Sequence, residues 1–214
     1  MRKLAIILSS VLVLSITGRL QAQEFEEGTN AMNISIGFGS GLYSGAGWSS
    51  TIPGIGVSFE HGIIDDIFDW DGVNVGVGAY FGISGAEAEF SVPFFGTYGY
   101  KYTYMIPAAR GVVHYNFMDN LDTYGGMHLG YQIVTVKETG TIPNGVKADG
   151  GALYLSGFIG ARYYFTDNIA ALLELGSGIA YFNLGITYNL EDDELEYQKT
   201  LDANEEKFTQ PIKY

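Results

Sequence analysis

The segment from Gly160 to Leu190 constrains the fold of this chain more than any other stretch. Its apolar residues alternate with small or polar residues, so that Leu184 and Ile186 share one side of an extended chain. Turn sequences at 166–168 and 176–178 divide the segment into antiparallel strands. Alternation over about ten residues, with aromatic residues near one end of the apolar face, is typical of membrane-spanning β-strands.

The same two-residue period recurs along the chain and predicts five earlier strands, which begin near residues 31, 55, 73, 100 and 127. The predicted fold class is therefore all-β: an eight-stranded antiparallel transmembrane up-and-down β-barrel over residues 31–190. Long Gly-rich or turn-rich loops are predicted at 41–53, 84–99 and 138–150. Shorter turns alternate with them, although the acidic turn at 63–72 is longer than the other two. This is the layout of long outward loops and short periplasmic turns.

The predicted fourth strand contains a change of phase. Its apolar residues are even-numbered from Tyr100 to Ile106 but odd-numbered from Gly111 to Phe117. Proline cannot donate a hydrogen bond to a strand ladder. We therefore predict a β-bulge between Pro107 and Ala109, with the tyrosines of the upper half facing outward.

The two ends of the chain differ from the barrel in composition. Residues 1–22 begin with two basic residues at positions 2 and 3, followed by an apolar run and a small residue at the end, which predicts a secretory signal peptide. Residues 23–30 form a polar lead-in. Residues 191–214 form a charged segment, which we interpret as an acidic periplasmic tail.

Charge and cysteine content exclude several classes of partner. Without the signal peptide the chain keeps 8 basic and 24 acidic side chains, a formal charge of −16, because the three basic residues at positions 2, 3 and 19 are lost. Such a chain repels phosphate backbones, so no nucleic-acid partner is expected. The absence of cysteine excludes a lipoprotein anchor, disulfides and thiolate chemistry.

Lumen volume predicts that the apolar face points outward. An eight-stranded barrel has an interior just wide enough for side chains to fill. The apolar face carries too many large side chains for that space, whereas the other face is mostly Gly, Ser and Asn with a few large polar groups. Aromatic residues at the strand ends then form a predicted lower interfacial girdle of Tyr115, Phe117, Tyr163, Phe165 and Tyr188.

Inward parity collects a set of polar side chains in the predicted lumen: Glu60, Arg110, His114, His128, Gln132, Arg162 and Glu174. Buried charges require partners, so we expect salt bridges, with Arg162 and Glu174 in one network. We interpret the set as a structural polar plug. The functional alternative is a narrow proton or ion path.

The histidines raise the question of catalysis or metal binding. His61 has Ser58, Glu60 and Asp65 near it in sequence, but Ser58 and Glu60 have the opposite parity, which argues against a catalytic triad. His114 and His128 on adjacent strands are a weak metal signal. We therefore expect no catalytic residue, no metal and no cofactor.

Aromatic residues in the predicted loops are candidates for surface contact or adhesion: Tyr43, Trp48, Phe90, Phe94, Phe95 and Tyr98. The set singled out for ligand contact is Tyr43, Trp48, Phe94 and Phe95. The alternative interpretation places these residues in the upper membrane interface.

The last three predicted strands carry a family resemblance. The sequences Gly160-Ala-Arg-Tyr-Tyr-Phe-Thr-Asp-Asn, Glu174-Leu-Gly-x-Gly and Leu184-Gly-Ile-Thr-Tyr-Asn-Leu resemble the small outer-membrane β-barrel family, described as porin-like, of Bacteroidetes-type Gram-negative bacteria. The architecture is similar to OmpA/OmpX-type barrels. The resemblance implies an outer-membrane location with periplasmic termini and recognition by the insertion machinery. It implies no catalytic residues.

These observations lead to a main functional hypothesis and three alternatives. The main one is a non-enzymatic outer-membrane barrel, expected to be a monomer, that contacts outer-membrane lipids and serves envelope structure, surface contact or adhesion, with host or surface ligands bound through its loops. The first alternative is a porin-like small-solute pore. A lipid-modifying enzyme and a soluble lipocalin-like binder are minor alternatives.

Overall fold

The computed structural model describes residues 25–39, 42–43, 47–70, 72–94, 96–118, 120–140 and 149–190. The predicted signal peptide, the predicted tail and Phe95 lie outside the described residues, as does the side chain of Phe117. In the described part of the chain, no helix has the length and hydropathy of a membrane span.

Eight antiparallel strands form a closed barrel in sequence order, and the last strand pairs with the first. The strands are β1 (Asn30–Phe38), β2 (Trp48–Ile64), β3 (Val73–Val92), β4 (Gly96–Met118), β5 (Leu121–Gly140), β6 (Gly150–Tyr164), β7 (Ile169–Gly176) and β8 (Phe182–Leu190). A short 3₁₀ turn, Ile67–Asp69, lies in the acidic connection between β2 and β3. The fold class predicted from the alternation is therefore confirmed.

The barrel wall is much taller on one side than on the other. Strands β3, β4 and β5 contain 20, 23 and 20 residues, whereas β7 contains 8 residues and β1 and β8 contain 9 each. The predicted loops are consequently wrong in extent: 84–92 and 96–99 are strand in the loop predicted at 84–99, 48–53 in the loop at 41–53, and 138–140 and 150 in the loop at 138–150. The β3–β4 ladder continues up to the pair Val92 and Gly96, so the upper wall is an extended hairpin.

The predicted bulge in β4 is wrong. The register between β3 and β4 is constant from Val73 opposite Tyr115 to Val92 opposite Gly96. The β4–β5 register is the same on both sides of Pro107, where two residues drop out of the pairing. The missing N–H of proline thus interrupts the ladder without shifting it. Because the phase never changes, Tyr104 and Ile106 are buried inside the barrel rather than facing outward.

Below the row of Met105 and Ile133, the apolar face of the strands points outward. Outward residues such as Ile34, Leu155 and Ile186 are 58%, 61% and 55% exposed, although they are among the most apolar in the chain. On β4 this apolar face runs from Tyr115 to Met105, about 33 Å along the strand at 3.3 Å per residue. With the usual tilt this gives a band about 25 Å tall, the height expected of a lipid-facing belt.

Aromatic side chains mark the lower edge of this belt. Tyr115, Tyr163, Phe165 and Tyr188 are exposed at the end of the barrel that holds the short turns, and the Tyr163 and Phe165 rings meet edge to face at 5.5 Å. An aromatic girdle at this level is typical of the membrane interface.

Candidate functional site

Glu60 on β2 lies at the centre of an ionic cluster inside the barrel. Its Oε1 accepts a hydrogen bond from Arg110 Nε at 2.5 Å, and its Oε2 accepts one from Arg162 Nη2 at 2.5 Å. The side chains of Glu60 and Arg162 have no solvent exposure. One carboxylate therefore joins β2 to β4 and to β6 across the lumen, and both bonds are of the charge-assisted kind.

Arg110 extends the cluster to the opposite wall. Its Nη2 donates to Glu174 Oε2 on β7 at 2.8 Å, and its Nη1 lies 2.9 Å from His128 Nε2 on β5. Because a guanidinium group can only donate, His128 Nε2 is the acceptor and its Nδ1 is free to donate to Ser156 Oγ at 3.2 Å. The guanidinium also lies 3.9 Å from the centre of the Phe158 ring, a cation–π distance.

Asp122 and His114 complete the ionic cluster on its lower side. Arg162 Nη1 donates to Asp122 Oδ2 at 3.2 Å, and His114 Nδ1 lies 2.9 Å from Asp122 Oδ1. The other ring nitrogen of His114 is 3.5 Å from Glu60 Oε2. Three carboxylates, two guanidinium groups and one imidazole are thus held together by strands from both sides of the barrel. We call Glu60, Arg110, His114, Asp122, Arg162 and Glu174 the charged cluster.

Neutral polar side chains connect the charged cluster to the closing strands of the barrel. Asn33 on β1 donates from Nδ2 to Glu60 Oε1 at 3.3 Å and to Ser58 Oγ at 2.9 Å. Thr187 on β8 donates from Oγ1 to Asn33 Oδ1 at 2.7 Å. The seam between the first and last strands is therefore tied to the same network.

Six of the seven sequence-predicted lumen residues are buried in or against the charged cluster. Arg162 and Glu174 belong to one network but make no direct ion pair, since Arg110 and Glu60 link them. Gln132 is different, because it is half-buried and lies outside the charged cluster. Asp122 is also buried in the charged cluster but is not among the residues predicted to line the lumen. The constant inward parity of β5, which it shares with Tyr124 and His128, is the signal that identifies it.

Gly160 explains how Tyr124 reaches the charged cluster. These two residues are direct partners on β5 and β6, and the Tyr124 hydroxyl donates to Glu174 Oε2 at 3.3 Å on the next strand. A Cβ added at Gly160 would meet the Tyr124 ring at 2.4 Å. The glycine thus leaves the space through which a large side chain crosses one strand.

Above the charged cluster the interior changes from ionic to apolar. We call this upper group of buried side chains the aromatic layer; it consists of Tyr80, Ala86, Tyr104, Ile106, Tyr154, Ile179 and Ala180. Ile179 and Ala180 come from the β7–β8 connection, which turns inward over the short side of the barrel. The His128 ring joins the two levels, since it stacks on Tyr80 at 4.3 Å and on Phe158 at 4.5 Å.

Below the charged cluster the segment before β1 enters the barrel. The Phe25 ring is fully buried and stacks on His114, with the ring centroids 3.8 Å apart and 14° between the planes. The backbone carbonyl of Phe25 accepts a hydrogen bond from Asn74 Nδ2 at 2.5 Å. A Cβ at Gly76 would approach this ring to 2.9 Å, so a residue without a side chain makes room for it.

The residues considered for catalysis do not come together. His61 is exposed on the outer face, with Nδ1 2.9 Å from Asn30 Oδ1, whereas Ser58 and Glu60 are buried inside. His114 and His128 have different polar partners, Asp122 and Ser156. Among the described residues there is no group of three or more His, Asp or Glu side chains arranged to hold a metal ion.

The aromatic residues considered for surface contact lie in different environments. Tyr43 and Trp48 are half-buried, stack on each other at 5.9 Å, and pack against the aromatic layer. Phe94 is fully exposed in the turn between β3 and β4 and has a positive φ of 69°. Phe94 is thus the most accessible member of this set among the described residues.

Comparisons of the structure find small membrane barrels at low sequence identity. Ail, the attachment invasion locus protein of Yersinia pestis, in complex with the heparin analogue sucrose octasulfate, is similar with a TM-score of 0.45 and 13% identity, over 77% of this chain and 99% of Ail. The N-terminal β-barrel domain of Pseudomonas aeruginosa OprF has a TM-score of 0.44 and 15% identity, over 77% of this chain and 98% of that domain. A de novo designed transmembrane β-barrel has a TM-score of 0.37 and 15% identity, over 78% of this chain and all of the design.

No protein-family model matches the chain, and no curated protein matches it in sequence. The closed ring of strands, the lipid-facing apolar belt and the buried ionic interior nevertheless define its class. The protein is an eight-stranded transmembrane β-barrel.

Proposed function

We propose that the protein is a non-enzymatic outer-membrane barrel with a closed lumen, which supports the envelope and contacts surface ligands through its tall wall. The observation that carries the closed lumen is Glu60, which bonds Arg110 and Arg162 at 2.5 Å each across the interior. The aromatic layer lies above this level and Phe25 lies below it. Open aqueous channels in barrels require about twice as many strands.

Planar-bilayer recording tests the closed lumen against the porin-like alternative. Purified protein that inserts and shows heat-modifiable gel migration is expected to give no steady conductance. The control is a Tyr104→Ala/Ile106→Ala variant, which removes two large side chains of the aromatic layer. It keeps the charged cluster and should also fail to conduct steadily. Steady channels from the wild-type protein would replace this proposal with the porin-like pore.

Phe94 supports the proposed surface contact. A phenylalanine with φ 69° adopts the left-handed conformation that glycine occupies at lower cost. Its ring is nevertheless fully exposed at the tip of the hairpin formed by β3 and β4. A costly residue in an exposed turn is better explained by a contact with a partner than by packing.

Substitution at Phe94 tests this contact. Phe94→Gly should leave the unfolding free energy unchanged or raise it, yet lower the retention of whole cells or membrane vesicles on a glycan array or on a host-cell layer. Phe68→Gly is the matched control, because Phe68 also has a positive φ, of 62°, and is 78% exposed, but lies at the opposite end of the barrel. Equal retention of both variants and the wild type would remove the hairpin tip as a contact site.

The ends of the chain belong to the same proposal. Residues 1–22 act as a signal peptide that is removed on export, residues 23–30 precede the barrel, and residues 191–214 form a periplasmic tail. The outer-membrane insertion machinery inserts the barrel into the membrane. The barrel works as a monomer and without a cofactor. The protein comes from a Bacteroidetes-type Gram-negative bacterium. Mass analysis of the mature protein tests the cleavage after Ala22, and protease protection in intact cells tests the periplasmic side of the tail.

A further inference from the structure

The described barrel has four basic residues, of which two lie inside the lumen and two have outward positions. Of the four, Arg110 and Arg162 are buried in the charged cluster. Lys101 on β4 and Lys137 on β5 are direct cross-strand partners and have the outward parity of their strands. In a chain with a formal charge of −13, the outward positive charge of the described barrel is thus concentrated at one spot.

The direct opposition of Lys101 and Lys137 is unfavourable unless a negatively charged group lies beside the two ammonium groups. Like charges directly opposite each other on antiparallel strands destabilise the pairing. Glu87 on β3 is the cross-strand neighbour of Lys101, but among the described residues no ion pair within 4.0 Å includes either lysine. An external anion would turn the mutual repulsion of the two ammonium groups into attraction.

The height of the pair identifies the kind of anion. The outward face is apolar at the row of Met105 and Ile133, and Thr103 and Thr135 form the next row above it. The lysines lie one row higher, four residues or about 13 Å along the strands from the apolar row. With the usual tilt this is about 10 Å above the hydrocarbon, and lysine side chains reach back toward the interface. The polar interfacial layer is about 5–8 Å deep on each side of a bilayer, so the ammonium groups reach the lipid phosphates.

We propose that Lys101, Lys137, Thr103 and Thr135 form a binding site on the outer wall for the phosphate group of a lipid headgroup in the surrounding leaflet. The two lysines neutralise the phosphate and the two threonine hydroxyls offer hydrogen bonds below it. The site rests on the proposed membrane location and adds a defined lipid contact on the tall side of the barrel.

Native mass spectrometry of the full chain tests the site. The protein is released from nanodiscs that contain equal small amounts of dioleoyl phosphatidic acid and dioleoylglycerol, which share acyl chains and differ in the phosphate. The wild-type protein should retain more phosphatidic acid than dioleoylglycerol. The Lys101→Gln/Lys137→Gln variant should lose this preference, with about a fivefold loss of retention for each lysine. Glu89→Gln, an exposed residue with the same outward parity on β3, is the charge control and should keep the preference.

Two further measurements distinguish a lipid phosphate site from an interaction of Lys101 with Glu87 and from binding of free phosphate. Glu87→Gln should leave phosphatidic acid retention unchanged or raise it; a loss comparable to the lysine variant would show that Lys101 serves Glu87 and would overturn the site. Inorganic phosphate at the concentration of the lipid should not displace it, and displacement would overturn a lipid site. Heat-modifiable migration of every variant reports barrel formation separately, so a failure to fold is not confused with a failure to bind. Equal preference in the wild type and the lysine variant contradicts the proposal.

Discussion

The lower and upper halves of the barrel interior are filled by different means. In the charged cluster, three carboxylates and two guanidinium groups meet through directional bonds, and Glu60 alone bonds to two arginines. In the aromatic layer, rings and small side chains such as Tyr80 and Ala86 pack without ion pairs among the described residues. Both halves are enclosed by the same strands.

The difference predicts how each half responds to damage. Removing one member of an ionic network leaves its partners charged, buried and unpaired, and that penalty exceeds the loss of the contact itself. Removing a ring or a branched chain leaves a cavity whose cost depends on how far the neighbours relax. The lower half should therefore be the more sensitive to single substitutions.

Substitution of Glu60 should have the largest effect. Glu60→Ala leaves Arg110 and Arg162 each without one partner and should lower the free energy of unfolding by about 3–5 kcal/mol. Urea titration in detergent micelles, followed by heat-modifiable migration, measures the loss. The matched control is Glu89→Ala, an exposed carboxylate on β3 for which a change near zero is expected. Equal losses would show that the interior position of Glu60 has no energetic consequence.

A cavity in the aromatic layer should cost less. Ile106 is fully buried, and Ile106→Ala should lower the unfolding free energy by about 2–4 kcal/mol. The control is Leu153→Ala on the outer face, where the side chain is 77% exposed and leaves no cavity. If Leu153→Ala were the more damaging change under the same urea titration, the inward assignment of Ile106 would be wrong.

A conservative change within the charged cluster should have a smaller effect again. Arg162→Lys keeps the charge but loses the planar fork that serves Glu60 and Asp122 together. We expect a loss of about 1–3 kcal/mol, because one carboxylate loses its charged donor. The same titration measures it, and a loss as large as that of Arg162→Ala would mean that geometry contributes as much as charge.

The smallest effect is expected at the lower end. Phe25→Ala removes the ring stacked on His114, but the affected segment lies at the edge of the barrel. The change should accelerate hydrogen exchange about tenfold at the amides of Gly28 and Gly62, which bond between this segment and β2, while the β4 core stays protected. Unchanged exchange would show that Phe25 does not hold the segment. Acceleration throughout the barrel would show that it supports the whole fold.

The sequence predicts the lower half better than the upper half, for a physical reason. Within the lipid-facing belt, most residues alternate as Ile186 and Thr187 do, because one face meets hydrocarbon and the other a narrow interior with the charged cluster at its centre; Val112, Phe158 and Leu172 are buried apolar exceptions. Above the belt this rule no longer applies. There the outward positions carry Lys101 and Thr103, while Tyr102 and Tyr104 lie on the inner face. The apolar residues thus change face while the backbone phase stays constant.

That inversion explains the two main errors of the sequence interpretation. An apolar pattern that moves from odd to even positions is indistinguishable from a bulge when only the residues are known, so Pro107 was given a bulge that the register excludes. Polar residues on the outer face also made the upper wall resemble loops. The parity of β5 places Asp122 inside the barrel, but the contact of Phe25 with His114 depends on which chain segments meet there, and local alternation carries no such information.

Lipid touches the apolar face of the barrel while the polar face is enclosed, and two adjacent residues of β6 test this orientation. The chain contains no cysteine, so Leu155→Cys and Ser156→Cys can each carry a single spin label in liposomes. Leu155 is 61% exposed and Ser156 is 4% exposed. The label at Leu155 should be mobile and relaxed by oxygen dissolved in lipid, while the label at Ser156 should be immobile and protected from oxygen. The reverse pattern, with Ser156 facing lipid and Leu155 enclosed, would contradict a barrel whose apolar face meets lipid.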